Sequence, residues 1–207
     1  MRRVDARVAV LASGSGTNLQ ALLDHPVVGP RIVLVVSDRW EARALERARA
    51  KTVEALFVDP KGFPDRPSFD RAVLAAVRER DVGFVVLAGF MRIVGPELVR
   101  AYAGRMLNLH PALLPSFPGA QGIREALEWG VKVTGVTVHL VDEEVDHGPI
   151  VAQEAVSVLP GDDEETLATR IHEVEHRIYP QAVQALIEGR LEIEGRIVHV
   201  QEEPTDE

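Results

Sequence analysis

The chain contains 207 residues, carries a formal net charge of −9 and has no cysteine. The acidic balance excludes broad nucleic-acid binding, which needs a positively charged face, and the missing cysteines exclude disulfides, a thiolate nucleophile and a Cys-based zinc site. No apolar run approaches the roughly 20 residues that span a bilayer, so we expect a cytoplasmic protein whose partners include neither nucleic acid nor membrane.

In the first half of the chain, apolar β-branched runs alternate with helical hydrophobic patterns. The predicted strands cover residues 7–12, 31–37, 55–58 and 83–87, and the predicted helices cover residues 17–24, 41–50 and 69–80. Such alternation is typical of a parallel sheet wrapped by helices.

The second half adds further helices and strands and closes with an antiparallel hairpin. We predict helices at 96–103, 124–129 and 164–187, strands at 105–109, 133–141 and 150–158, and a hairpin at 191–200. Residues 111–122 are rich in Pro and Gly and too long for a simple connection, which is typical of a lid or binding loop. The whole pattern predicts one α/β domain over residues 1–207, with a mostly parallel twisted sheet and helices on both faces.

A glycine-rich segment joins the first predicted strand to the first predicted helix. Its residues are Gly14, Ser15, Gly16, Thr17 and Asn18. Free backbone N–H groups and the helix dipole make such a junction a phosphate site. The segment is neither a dinucleotide fingerprint, because Leu19 replaces the third glycine, nor a Walker loop. The alternative is a tight turn with Thr17 as a helix cap.

Asn108 and His110 are two residues apart on a predicted strand, so their side chains project to the same face. An amide supplies uncharged hydrogen-bond groups, and a histidine exchanges protons near neutral pH. Asp146 lies in a predicted turn between two strands, where its carboxylate can orient a catalytic histidine. The alternatives are an Asn and a His satisfied by turn backbone, and a turn-capping Asp.

A formal H-E-x-x-H pattern runs from His172 to His176 on the last predicted helix. Two histidines at this spacing share a helix face and can bind zinc. The downstream glutamates Glu192 and Glu194 fall on the predicted hairpin instead of on a second helix that could carry a third ligand. We therefore keep a zinc hydrolase only as a remote alternative.

Six segments are specific in combination and occur in one order along the chain. They are GSGTN at 14–18, LAGFMRI at 87–93, LNLHPALLP at 107–115, GVTVH at 135–139, DHGP at 146–149 and EHRIYP at 175–180. In this order and spacing they resemble the phosphoribosylglycinamide formyltransferase family of folate-dependent enzymes. The resemblance covers about residues 7–200 and implies a Rossmann-like formyltransferase fold.

By matching positions, the resemblance implies three sets of site residues. The catalytic set is Asn108, His110 and Asp146. The ribonucleotide site is Gly14, Ser15, Gly16, Thr17, Asn18 and Glu175. The folate site is Met91, Arg92, Ile93, Val94, Met106, Val141, Asp142 and Glu144. The part before about residue 100 would bind the ribonucleotide phosphate, and residues 101–200 would carry the catalytic set and much of the folate site.

The implied reaction transfers a formyl group from 10-formyltetrahydrofolate, as co-substrate, to the amine of glycinamide ribonucleotide. We expect Asn108 and a protonated His110 to stabilise the oxyanion, with Asp146 favouring the imidazolium. No metal is required. The substrates are small molecules, and the chain is expected to be a monomer or a homodimer.

Two residues depart from the family pattern, and several other functions stay open. His172 stands where many relatives are expected to have Gln, and Gln121 stands where a His is common. The sister activities are formyltetrahydrofolate hydrolysis and methionyl-tRNA formylation, for which we expect additional domains that this chain does not carry. A non-catalytic nucleotide-binding module would use only the glycine-rich segment.

Overall fold

The computed structural model describes residues 6–202, and residues 1–5 and 203–207 of the predicted domain lie outside that part. Its strands are β1 (Val8–Leu11), β2 (Ile32–Ser37), β3 (Glu54–Phe57), β4 (Phe84–Leu87), β5 (Met106–His110), β6 (Val133–Leu140), β7 (Ile150–Ser157), β8 (Leu191–Glu194) and β9 (Ile197–Val200). The first seven form one sheet in the order β3-β2-β1-β4-β5-β6-β7, and β8 pairs with β9 in a hairpin. Strands β1 to β5 pair in parallel, whereas β6 is antiparallel to β5 and β7.

Helices cover both faces of this sheet. They are α1 (Thr17–Asp24), α2 (Arg43–Ala50), α3 (Arg66–Arg78), α4 (Pro96–Ala101), α5 (Gly122–Glu128) and α6 (Glu164–Ile187). Successive residues of a strand point to opposite faces, so Val8 and Val10 pack with α1, α2 and α6, whereas Ala9 and Leu11 pack with α3 and α4. The predicted fold class is confirmed. Across residues 6–202, no helix combines the length and apolarity needed to cross a bilayer.

Local hydrogen bonding explains where an element differs from its predicted bounds. Helix α3 begins at Arg66 instead of Phe69, because the Asp65 carboxylate accepts a hydrogen bond from the backbone N–H of Ser68 at 2.8 Å and Pro67 lies in the first turn. The hydrophobic periodicity used for the prediction starts only at Phe69. Two short 3-10 turns, Gly29–Arg31 and Pro60–Gly62, also lie outside the predicted elements.

The order of the strands creates a crevice at the carboxyl ends of β1 and β4. From β1 the chain continues to β2 on one side, and it later returns to place β4 on the other side. Ligands of open α/β sheets bind at such a switch point, where the connections diverge. The glycine-rich segment follows β1, and residues 88–95 follow β4. These two segments are therefore placed to hold ligands beside each other.

Candidate active site

Asn108 and His110 lie at the carboxyl end of β5 and share a face of the sheet. The strand includes His110, beyond its predicted end at residue 109, because pairing with β6 continues to Thr137. His139 of β6 pairs directly opposite Asn108, so its imidazole lies on the same face. His139 was not among the predicted site residues, since the register between two antiparallel strands cannot be read from their separate sequences.

The carboxylate of Asp146 contacts all three of these side chains. Its Oδ2 lies 3.4 Å from Nδ1 of His110, and its Oδ1 lies 3.6 Å from Nε2 of His139. Oδ1 also accepts a hydrogen bond from Nδ2 of Asn108 at 3.3 Å, and Oδ2 accepts one from the backbone N–H of Gly119 at 2.7 Å. The structure therefore brings together the predicted catalytic set around one carboxylate.

Two opposing effects act on the charge of Asp146. Burial alone would raise the pKa of its carboxyl group. Hydrogen bonding with His139 and with the N–H of Gly119, together with the charge of His110, outweighs burial and holds the pKa below its usual value. Asp146 is therefore ionised at neutral pH and presents a buried negative charge to His110.

The imidazole of His110 is buried and has an acceptor on each side. Its Nε2 lies 2.7 Å from the carbonyl oxygen of Phe117, and because a carbonyl only accepts, Nε2 carries a hydrogen. Its Nδ1 faces Asp146. Burial lowers the pKa of His110, and the charge of Asp146 and the Phe117 carbonyl only partly oppose it. Burial therefore opposes the protonated His110 expected for the reaction, while the acceptors at both ring nitrogens favour it, and the charged ring stays a prediction.

The amide of Asn108 also has protein partners in this arrangement. Its Nδ2 lies 3.1 Å from Nε2 of His139, in addition to its contact with Asp146. His139 Nδ1 lies 2.9 Å from the carbonyl oxygen of Leu140 and therefore carries a hydrogen, while its Nε2 faces both the Asn108 amide and the Asp146 carboxylate. His139 thus contacts the amide at the position where the three predicted catalytic side chains meet.

These polar groups open onto a cavity of about 420 Å³. Seven of the eight predicted folate residues line it: Met91, Arg92, Ile93, Val94, Val141, Asp142 and Glu144. Asn108, His110, His139 and Asp146 also belong to its wall. Met91 and Ile93 are 60% and 57% exposed, so apolar surface is available to a ligand. The assignment of Met106 to the folate site is corrected. This side chain is fully buried in the core cluster that includes Leu98 and Tyr102, and it does not line the cavity.

The glycine-rich segment forms the start of α1. Gly16 is the cap residue, with a left-handed φ of 71°, and no side chain caps the helix. The alternative in which Thr17 caps the helix is therefore wrong, since Thr17 is already its first residue. The Nε of Arg47 donates to the carbonyl oxygen of Ser15 at 2.8 Å, which brings a positive charge to a segment that contains none. The position of Arg47 could not be read from the segment itself.

Glu175 of α6 faces the glycine-rich segment. It is 4% exposed, and its Oε2 accepts a hydrogen bond from Nδ2 of Asn18 at 2.9 Å. Burial raises the pKa of Glu175, while the Asn18 hydrogen bond and the charges of His172 and His110 oppose the shift. The Oδ1 of Asn18 is buried without a hydrogen-bond partner among the described residues. Glu175 and Asn18 therefore have hydrogen-bonding capacity for a polar ligand.

The H-E-x-x-H pattern gives no compact cluster of ligands. The rings of His172 and His176 stack with their centroids 6.2 Å apart, and Nε2 of His172 lies 3.9 Å from Oε2 of Glu175. Within residues 6–202, no group of three or more His, Cys, Asp or Glu side chains is arranged to hold a metal ion. Glu192 and Glu194 lie on β8, as predicted. Gln121 precedes α5 without a side-chain capping bond.

Comparison with known proteins places this geometry in a family. The sequence model of the family described as "Formyl transferase" matches residues 6–183. The chain belongs to the formyl transferase family. A phosphoribosylglycinamide formyltransferase of Mycobacterium tuberculosis is 49% identical over 193 residues, which cover 92% of this chain and 89% of the relative. A Bacillus subtilis protein of the same name is 39% identical over 184 residues, covering 87% and 94%.

Solved structures give the same result for the fold. Glycinamide ribonucleotide transformylase 1 from Symbiobacterium toebii superimposes with a TM-score of 0.92 at 51% identity, covering 95% of this chain and 94% of that one. The phosphoribosylglycinamide formyltransferase of Coxiella burnetii superimposes with a TM-score of 0.87 at 37% identity, covering 94% and 92%. The Rossmann-like formyltransferase fold implied by the sequence is confirmed.

Proposed function

We propose that this chain transfers the formyl group of 10-formyltetrahydrofolate to the amine of glycinamide ribonucleotide, in purine biosynthesis. The products are N-formylglycinamide ribonucleotide and tetrahydrofolate. The observation that carries the proposal is the contact of the Asp146 carboxylate with both Asn108 and His110 on the wall of the 420 Å³ cavity. The names of the relatives that cover most of the chain support formyl transfer to glycinamide ribonucleotide.

The two substrates take the two sides of the crevice. The ribonucleotide phosphate binds the backbone N–H groups of Gly14, Ser15, Gly16, Thr17 and Asn18 at the positive end of α1, with the charge of Arg47 nearby. Glu175 lies toward the glycinamide end and binds its polar groups. The folate occupies the cavity beside Met91, Arg92, Ile93, Val94, Val141, Asp142 and Glu144. The single domain thus holds both reactants at the carboxyl ends of its central strands.

The chemistry is attack of the neutral amine on the formyl carbon. A carbon–nitrogen bond forms, the formyl oxygen gains negative charge, and the bond from the formyl carbon to the folate nitrogen then breaks. The proton lost by the amine passes through a water molecule to the leaving folate nitrogen. Donors aimed at the developing oxyanion lower the barrier because they interact more strongly with the transition state than with the substrate.

The Nε2 hydrogen of His110 can serve as a donor whether or not the ring is charged. In the structure this hydrogen is bound to the Phe117 carbonyl, and Nδ2 of Asn108 donates to Asp146 and contacts His139. The formyl oxygen must therefore replace these protein acceptors. Asp146 stabilises positive charge on the ring as the oxyanion forms, which compensates for the burial that lowers the pKa of His110.

The remaining features of the proposal follow from this chemistry. No step requires a metal, and both partners of the chain are small molecules. We further propose that the protein acts in the cytoplasm, as a monomer or a homodimer and without nucleic acid or membrane.

Hydrolysis of formyltetrahydrofolate is the second reaction that the same catalytic set could perform. The two are distinguished by measuring tetrahydrofolate and formate formation with and without glycinamide ribonucleotide. The proposal predicts tetrahydrofolate formation only when the ribonucleotide is present, with no equivalent release of formate. Formate release at the same rate without the ribonucleotide would identify a hydrolase.

A further inference from the structure

Ser13 links the two segments that hold the proposed substrates. It follows β1, directly precedes the glycine-rich segment, and is 1% exposed. Its backbone N–H donates to the carbonyl oxygen of Gly89 at 3.1 Å, and its hydroxyl oxygen accepts from the backbone N–H of Met91 at 2.9 Å. The residue before the phosphate segment therefore binds the cavity-lining segment at two points.

The hydroxyl of Ser13 is held in one orientation by Asp38, which follows β2. Ser13 Oγ donates its single hydrogen to Oδ1 of Asp38 at 2.5 Å, so the oxygen lone pairs are left for Met91. A short hydrogen bond to an ionised carboxylate is among the stronger hydrogen bonds in proteins. Asp38 is itself 9% exposed, and burial protects this bond from competition with water.

The other oxygen of Asp38 continues the link back to the cavity. Its Oδ2 lies 3.8 Å from an Nη1 nitrogen of Arg92, whose guanidinium lies over the ring of Phe69, 5.2 Å from the centroid. Arg92 lines the cavity and directly follows Met91. One buried pair, Ser13 and Asp38, thus contacts both the backbone of Met91 and the side chain of its neighbour Arg92.

We propose that Ser13 is a positioning residue that couples the binding of the two substrates. The inference rests on the proposed function, because it assigns the ribonucleotide to one segment and the folate to the other. Each ligand favours the arrangement in which both segments are held by Ser13 and Asp38. The first ligand to bind therefore orders the site of the second, and by linkage the effect is equal in both directions.

The test measures binding and does not depend on turnover. The dissociation constant of tetrahydrofolate is measured by calorimetry with and without saturating glycinamide ribonucleotide. The dissociation constant of the ribonucleotide is then measured with and without saturating tetrahydrofolate. In the parent we expect each ligand to lower the dissociation constant of the other about tenfold, within the range usual for coupled sites. Ser13→Ala should bring both ratios close to one while each ligand still binds alone.

Two further variants separate coupling from general damage. Ser37→Ala is the matched control, because Ser37 is also a buried serine but, within residues 6–202, its hydroxyl bonds only to the backbone of Arg39. The coupling in Ser37→Ala should equal that of the parent. Asp38→Asn keeps an acceptor for Ser13 without the charge and should give an intermediate ratio. If thermal melting shows that Ser13→Ala is unfolded, the coupling measured for Asp38→Asn takes its place in the test.

The outcomes that overturn the inference differ from those that overturn the function. Unchanged coupling in folded Ser13→Ala and Asp38→Asn, or no coupling in a parent that binds both ligands, would reject the role of Ser13 alone. Failure of the parent to bind either ligand would reject the proposed function together with the inference.

Discussion

Asp146 combines a left-handed backbone conformation with a buried charge. Its φ is 51°, a region that Asn and Asp tolerate better than most residues. This conformation is part of the turn that directs the carboxylate between His110 and Asn108. Since Asn keeps both the size and the tolerance for this φ, replacement by Asn isolates the contribution of the charge.

We predict that Asp146→Asn lowers turnover by about 100- to 1,000-fold, the usual effect of removing one preorganised electrostatic contact, while ribonucleotide affinity is retained. The negative charge raises the pKa of His110 against burial, so its removal should lower that pKa further. Steady-state kinetics and an NMR titration of His110 measure the two effects. Asp81→Asn is the matched control, because Asp81 has a φ of 50° on an exposed turn. Near-parental turnover of Asp146→Asn would show that Asp146 only shapes the turn.

We expect the ionised, buried carboxylate of Glu175 to lower the stability of the folded protein and to strengthen ribonucleotide binding. Its folded-state pKa is raised above the ordinary value of 4.5 by burial, so the folded protein bears the cost of an ionised, buried carboxylate above that raised pKa. Glu175→Gln should therefore raise the melting temperature at pH 7, and the gain should disappear as the pH falls toward 4.5, where both states bind the proton.

The same substitution should weaken ribonucleotide binding by about 10- to 100-fold, as expected for the loss of one hydrogen bond to a charged group. Melting curves at several pH values and the Michaelis constant for the ribonucleotide measure the two effects. Glu173→Gln, on the exposed side of α6, should change neither. A lower melting temperature at pH 7 would mean that the Asn18 and His172 contacts outweigh the burial of the charge.

At the scale of elements, the start of α1 depends on the absence of a side chain at Gly16. A Cβ there would lie 2.8 Å from the Cα of Ala44 in α2, and its φ of 71° already disfavours other residues. We predict that Gly16→Ala displaces the segment and raises the Michaelis constant for the ribonucleotide by up to about 100-fold, the cost of a displacement near 1 Å. The constant for the folate should change far less.

Gly130 provides a matched control for this prediction. Its φ of 66° is similar, but a Cβ there meets no atom within 4 Å, so Gly130→Ala tests the conformational cost alone. It should lower stability without a selective effect on the ribonucleotide. Equal increases in both Michaelis constants for a folded Gly16→Ala would contradict the assignment of the phosphate to this segment.

The closing hairpin contacts the turn that carries Asp146. Arg196, between β8 and β9, donates through Nη2 to the carbonyl oxygen of His147 at 2.6 Å, and its Nη1 lies 3.1 Å from Nε2 of His147. We predict that Arg196→Ala lowers turnover up to about fivefold, because exposed contacts contribute at most about 1 kcal/mol. Arg71→Ala, which removes an exposed arginine paired with Glu97, should have no effect on turnover. Parental turnover of Arg196→Ala would mean that the hairpin does not position the turn.

The hydrophobic pattern predicted the helices and strands well, because the spacing of apolar residues and the length of each apolar run are local properties of the sequence. It missed the polar first turn of α3, where Asp65 and Pro67 define the start, and it gave no strand order. The order depends on long-range pairing. The antiparallel register that places His139 opposite Asn108 is likewise a property of two strands together and is not visible in either one.

At the scale of the whole molecule, the resemblance named residues, and the fold determined which of them meet. Asn108, His110 and Asp146 converge although the last is far along the chain, because β6 pairs with β5 and the turn that follows β6 places the Asp146 carboxylate against the side chains of β5. Met106 has the same parity as Asn108 but is the first residue of β5, where the core covers it. Proximity in sequence therefore did not distinguish a cavity residue from a core residue.

Transfer of labelled formyl by the purified chain is the most direct test of the proposed reaction. The protein is incubated with 10-formyltetrahydrofolate carrying carbon-13 in the formyl group and with glycinamide ribonucleotide, in the presence of a chelator, and products are followed by mass spectrometry. We expect N-formylglycinamide ribonucleotide that carries the label, formed in equal amount with tetrahydrofolate. Label recovered only as formate, or activity that is lost to the chelator and restored by zinc, would contradict it.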